Sequence, residues 1–122
     1  GMNNHQGSKA SADQHVMSNV ARVIKDRGLF FLDSRTTVET IIVNTMEVFG
    51  VPPAQRNIFL DNEDNEIKIK EQLQKLVRKA ELDGFSIGIG HVKRKTLNVL
   101  AKEIPELKKN GFKFDFVSKM VN

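Results

Sequence analysis

The apolar pattern is sharpest at Leu29-Phe30-Phe31-Leu32, four bulky residues in a row that stop abruptly at Asp33-Ser34-Arg35-Thr36-Thr37. An unbroken run of this kind suits a strand covered on both faces, as in a parallel sheet. The same order, apolar run and then polar group, returns at Ile58-Phe59-Leu60 before Asp61-Asn62, and at Ser86-Ile87-Gly88-Ile89-Gly90 before His91. Helical spacing fills the intervals. Ser11 with Gln14 has the form of a capping box, with Val16, Val20, Val23 and Ile24 as the apolar stripe and Gly28 as the stop. Thr36 with Glu39 repeats the box ahead of Val38, Ile41, Ile42, Met46 and Phe49, ending at Gly50. The longest helix follows the acidic Asn62-Glu63-Asp64-Asn65, with Ile69, Leu73, Leu76, Val77 and Ala80 on one face and Gly84 closing it. Leu97, Leu100, Ala101 and Ile104 predict a fourth helix, ended by Pro105 and Gly111. Residues 1–12 and Val51-Pro52-Pro53 read as loops. Alternation of Phe112, Phe114 and Phe116 with Lys113 and Asp115 predicts a last strand from Phe112 to Val117, less fully covered than the others.

The reading is therefore a loop followed by helix and strand repeated four times. Asp33, Asp61, His91 and Ser118 are separated by 28, 30 and 27 residues, close to the roughly 30 residues that one βα unit needs. Right-handed crossovers between parallel strands give an α/β fold, either a doubly wound sheet or part of a barrel, with Asp33, Asp61 and His91 on one face. Four strands and four helices are half of a (β/α) barrel. A chain that opens in a loop and a helix reads as the second half of something larger.

Composition narrows the function. The chain has 122 residues, one domain's worth, and no cysteine, which excludes disulfides, thiolate metal sites and a cysteine nucleophile. No apolar run approaches the roughly 20 residues of a membrane span, and the polar first dozen residues do not read as a signal peptide. A formal charge of +4 hints at nucleic acid, but the lysines alternate with acids along helices, and there is no Trp or Tyr to interleave with them. That pattern is a solvated face, and no nucleic-acid partner is expected.

Candidate chemistry sits at the strand ends. His5, in a Gly/Asn/Ser loop, and His91, after a strand, could each bind a metal or move protons; on spacing alone a merely solvent-exposed histidine is the favoured reading, as it is for His15. Asp33 with Arg35 could be a metal ligand, a general base or the orienter of a histidine, or else a turn that caps the next helix. For Asp61 and Asn62 the capping role is favoured. Gly88 and Gly90 leave room for close approach just before His91. A phosphatase of the haloacid dehalogenase kind would need a second acid two residues after its nucleophilic Asp, where this chain has Arg35 and Glu63.

Asn3-Asn4-His5-Gln6-Gly7-Ser8, Arg27-Gly28-Leu29-Phe30-Phe31-Leu32-Asp33-Ser34-Arg35-Thr36, Phe59-Leu60-Asp61-Asn62 and Ile87-Gly88-Ile89-Gly90-His91, in this order, resemble the C-terminal half of the divergent polysaccharide deacetylase family over essentially the whole of residues 1–122. The resemblance implies a distorted (β/α) barrel and a metal-dependent hydrolase that deacetylates N-acetylated polysaccharide of the cell envelope. It implies that His5 binds a divalent metal, commonly zinc, that His91 is the general acid, and that Asp33 and Arg35 belong to the catalytic polar cluster. Asn4, Ser8, Ser34, Asp61 and Asn62 would line the substrate site, and the location would be periplasmic or extracellular. Three features depart from the family pattern. The Asp-Asp motif has no counterpart, one histidine stands where typical deacetylases have two, and Val92 follows His91 where Pro is usual. An N-terminal half or a second chain is therefore expected to complete barrel and site, and this chain alone is expected to be inactive. The alternatives are a carbohydrate-binding or scaffold protein that keeps the barrel without the chemistry, and a self-contained small α/β binding domain.

Overall fold

The computed structural model describes residues 1–121. It is mixed α/β with parallel strands, and it divides into two compact units: Gly1–Arg56 joined by the described residues from Val117 onward, and Asn57–Phe116.

In the first unit, β1 (Met2–Asn3), β2 (Phe31–Asp33) and β3 (Pro53–Gln55) form a parallel sheet in that order, with Leu32 opposite both Asn3 and Ala54. The apolar run thus becomes the central strand, hydrogen-bonded on both sides, as expected for residues covered on both faces. Around it lie α1 (Ser8–Ser11), α2 (Gln14–Asp26) and α3 (Ile42–Phe49). The core is Met17, Ala21, Ile24, Phe31, Ile42, Met46 and Val51. Gly50 ends α3 in the left-handed region at φ 72°, where a Cβ would be strained.

In the second unit, β4 (Ile58–Phe59) pairs in parallel with β5 (Gly88–Ile89), and the connection between them carries α4 (Glu66–Asp83). After β5 comes α5 (Arg94–Lys109). Leu60, Ile69, Leu73 and Val99 make the core, with Ile58, Leu76, Leu100 and Leu107 packed against it. Asn65 caps α4, its side-chain oxygen accepting from the Ile67 and Lys68 amides.

Several expectations are corrected. Residues 1–12 are not all loop, since Met2–Asn3 is a strand, and Pro53–Gln55 is another within a stretch read as a connector. Both are too short to show a period, and Pro53 is tolerated at the first position of a strand. The strand expected from Phe112 to Val117 does not form; Phe116 is 77% exposed, and a short 3-10 turn occupies Val117–Lys119. Pro105 does not end α5, which runs through it to Lys109. Neither capping box is used. Asp13, accepting from the Val16 amide, starts α2, and α3 begins only at Ile42, leaving Val38 exposed in a loop. The buried face of α2 is accordingly Met17, Ala21 and Ile24, while Val16 and Val23 face solvent. Among the described residues the strands fall into sheets of three and two, and no closed barrel is seen.

Candidate functional site

The second unit builds its site from strand register. Ile58 lies opposite Gly88 and Phe59 opposite Ile89, an offset of 30 residues. Carried two residues further, the same offset sets Asp61 against His91. Gly88 and Gly90 make the close approach possible. A Cβ on Gly88 would lie 2.7 Å from a Leu76 methyl, and one on Gly90 would lie 3.3 Å from the Thr96 methyl and 3.5 Å from Asp61 Oδ2. The room these glycines leave is filled by the protein's own side chains.

Asp61 is 2% exposed and its carboxylate is fully engaged. Oδ2 accepts from the His91 backbone amide at 2.7 Å and from the Thr96 hydroxyl at 2.7 Å, and Oδ1 lies 3.0 Å from His91 Nδ1. Burial pushes the acid's pKa up. The hydrogen bonds from the Thr96 hydroxyl, the His91 ring and the His91 amide outweigh it, so the group is held below the usual carboxylate value. An ionised carboxylate only accepts hydrogen bonds, so Nδ1 must be the donor and the neutral ring is the Nδ1–H tautomer. The His91 side chain stays 41% exposed, and the Phe59 ring lies against it with centroids 5.5 Å apart. The arrangement is a buried acid that fixes the orientation and tautomer of an accessible imidazole, which suits proton transfer at Nε2.

The first unit holds the other polar cluster. Asp33, at the end of β2, is completely buried; Oδ1 accepts from the Arg35 amide at 2.7 Å and Oδ2 from the Thr40 hydroxyl at 2.9 Å. Arg35 has φ 50°, a left-handed conformation that is costly for a residue with a Cβ. The turn is held from all sides. Asn4 Oδ1 accepts from the Ser34 amide at 2.7 Å, and the Arg56 guanidinium donates to the carbonyls of Ser34 and Arg35 at 2.8 and 3.1 Å. Burial, and after it the neighbouring Arg35, lower the Arg56 pKa, with Asp33 acting in the opposite sense. Arg35 reaches Gln55 Oε1 at 2.8 Å, and Ser8 donates to the Thr36 carbonyl at 3.1 Å. Asp33 therefore braces a turn that presents Arg35.

Of the residues singled out in the sequence, Asn4, Ser8, Asp33, Ser34 and Arg35 share the first unit's cluster, while His91 and Asp61 are joined in the second. Asn62 is exposed just after Asp61, and His5 is exposed on the loop between β1 and α1. Among the described residues no group of three or more His, Cys, Asp or Glu side chains could hold a metal ion. A zinc site takes three or four ligands, so a cation at His5 would need donors beyond that side chain. Sequence reasoning missed Thr40, Arg56 and Thr96. For Thr96 a signal existed: a hydroxyl at a helix position that shares its face with Val99 and Leu100.

The divergent polysaccharide deacetylase family model matches residues 1–121. A protein of Haemophilus influenzae is 35% identical over 109 residues, covering 87% of this chain and 39% of that protein. YibQ of Escherichia coli is 34% identical over 107 residues, covering 88% of this chain and 34% of YibQ. The chain therefore spans between a third and two fifths of these relatives' length. A crystal structure of an Agrobacterium tumefaciens protein superposes with a TM-score of 0.96 at 27% identity, over 99% of this chain and 49% of that one.

Proposed function

The chain belongs to the divergent polysaccharide deacetylase family, and from that premise we propose that His91, held by Asp61, is the general acid of a hydrolase that deacetylates N-acetylated polysaccharide of the cell envelope. The observation that carries the reading is the 3.0 Å contact between His91 Nδ1 and the buried Asp61 carboxylate. Amide hydrolysis needs a proton at the departing nitrogen. Water adds to the acetamide carbonyl and gives its proton to a carboxylate base supplied from outside these residues, the C–N bond breaks as the tetrahedral adduct collapses to acetate, and the amine leaves with a proton taken from Nε2. The Asp61 charge at Nδ1 compensates the charge on the ring while Nε2 carries that proton. Asp61, which the resemblance places in the substrate site, acts here as a positioning residue.

Asn4, Ser8, Ser34 and Asn62 contact the saccharide, and Arg35, presented by the Asp33 turn, contributes a cation to the polar cluster. The short parallel strands form part of a (β/α) barrel completed by further chain, and the protein works in the periplasm or outside the cell, where its substrate is. His5 supplies one ligand to a divalent cation, zinc in most deacetylases, with the other ligands coming from outside these residues. The test is acetate release from N-acetylglucosamine oligomers by the intact protein and by its His91→Ala and His5→Ala variants, with bound zinc measured in each. Loss of turnover in both variants is expected. Unchanged activity in both refutes the site, and saccharide binding without turnover replaces the enzyme with a carbohydrate-binding protein.

A further inference from the structure

We propose that Thr96 is the positioning residue that fixes the Asp61 carboxylate, and through it the ring orientation and tautomer of His91. The inference rests on the reading of His91 as a proton donor, but its structural half stands independently.

Thr96 lies near the start of α5, on the face shared with Val99, and is 1% exposed. A buried hydroxyl needs a partner, and this one donates to Asp61 Oδ2 at 2.7 Å, a charge-assisted bond. The other two bonds to the carboxylate both come from His91, so without Thr96 its orientation would depend on the very residue it orients. Thr96 supplies the third point, from a different element. With Oδ2 pinned by the hydroxyl and by the His91 amide, Oδ1 is the oxygen left to face Nδ1. The hydroxyl also helps keep Asp61 ionised, and ionisation is what obliges Nδ1 to donate. The Thr96 methyl has a separate task, packing 3.3 Å from where a Gly90 Cβ would stand. Hydroxyl and methyl can therefore be removed one at a time.

The test uses Thr96→Val, which keeps the shape and deletes the donor, and Thr96→Ser, which keeps the donor and deletes the methyl. Nitrogen-15 NMR of the His91 ring in the intact protein reads the tautomer, and the carboxyl carbon of Asp61 reads its titration. In Thr96→Val the carboxylate loses its alignment on Nδ1, so the Nδ1–H tautomer should lose population, and the Asp61 midpoint should move to higher pH. Thr96→Ser should retain wild-type behaviour in both. If Thr96→Val does not fold, slow solvent exchange of the Thr96 hydroxyl proton in the wild type carries the same information, and a fast-exchanging proton refutes the bond. A wild-type tautomer and titration in folded Thr96→Val overturn the proposal. Kinetics separate it from the reading it rests on. If His91 is the general acid, Thr96→Val lowers kcat about tenfold at little cost in KM, a fraction of what general acid catalysis supplies. A tautomer change with no kinetic effect keeps the positioning role and refutes the general acid.

Discussion

Asp61→Asn isolates what the buried carboxylate contributes. The variant keeps the shape and one oxygen but replaces the other with an amide group that donates. Three bonds depend on the charge: those from the His91 amide, the Thr96 hydroxyl and His91 Nδ1. The first two share Oδ2, so the asparagine oxygen can take that place and keep both as neutral bonds. The amide nitrogen then faces Nδ1, which must become an acceptor, reversing the tautomer. Bonds to charged groups are worth about 1.5–3 kcal/mol and neutral ones about 0.5–1.5. Weakening three by about 1 kcal/mol each gives a loss of about 3 kcal/mol at neutral pH. Urea unfolding of wild type and variant, followed by a signal from the second unit, measures it. The pH dependence supplies a second check. Since the folded-state pKa of Asp61 lies below its unfolded value, its ionisation stabilises the fold above the unfolded pKa, near 3.9 for an aspartate. That stability is lost as pH falls through the folded pKa, so the gap between wild type and variant should narrow in acid. A gap below about 0.5 kcal/mol at pH 7, or one that widens on acidification, would refute the reasoning.

Other perturbations test the rest of the molecule. Asp33→Ala removes the acceptor of the half-buried Arg35 amide and Thr40 hydroxyl, and should cost about 2 kcal/mol by chemical denaturation. Arg35→Gly should be more stable than Arg35→Ala by about 1 kcal/mol, because only glycine occupies φ 50° without strain; a higher melting temperature for the alanine variant would contradict this. Asn65→Ala removes the cap of α4 and should cost about 1 kcal/mol, whereas Ser11→Ala, at the rejected cap, should not change the start of α2 as read from amide exchange.

What the sequence made legible follows from physical range. Leu29 to Leu32 announce a strand because its burial on both faces leaves no polar position, and the acid, acid and histidine that follow the three apolar runs do stand at strand ends. The strands β1 and β3 escaped notice because two or three residues cannot display a period, and their places are set by pairing to β2. Phe112 to Val117 alternates like a strand, yet alternation supplies only one face, and among the described residues no strand pairs with it. Ser11 lost to Asp13 as the cap of α2 because a carboxylate two residues later reaches the Val16 amide, and the buried stripe is Met17, Ala21 and Ile24. The site was half visible. His91 could be identified from its place after a glycine-rich strand, but its partner lies 30 residues away and only the register of β4 with β5 brings Asp61 to it. The 30-residue spacing between them was on view as a structural period, and it was also the signal for the pair.

The pair itself can be examined without substrate or metal. Nitrogen-15 chemical shifts of the His91 ring, recorded at a pH where the imidazole is neutral, report which nitrogen carries the proton. The proton is expected on Nδ1, donated to Asp61, with Nε2 unprotonated. A ring protonated on Nε2, with a bare Nδ1 beside the carboxylate, would contradict it.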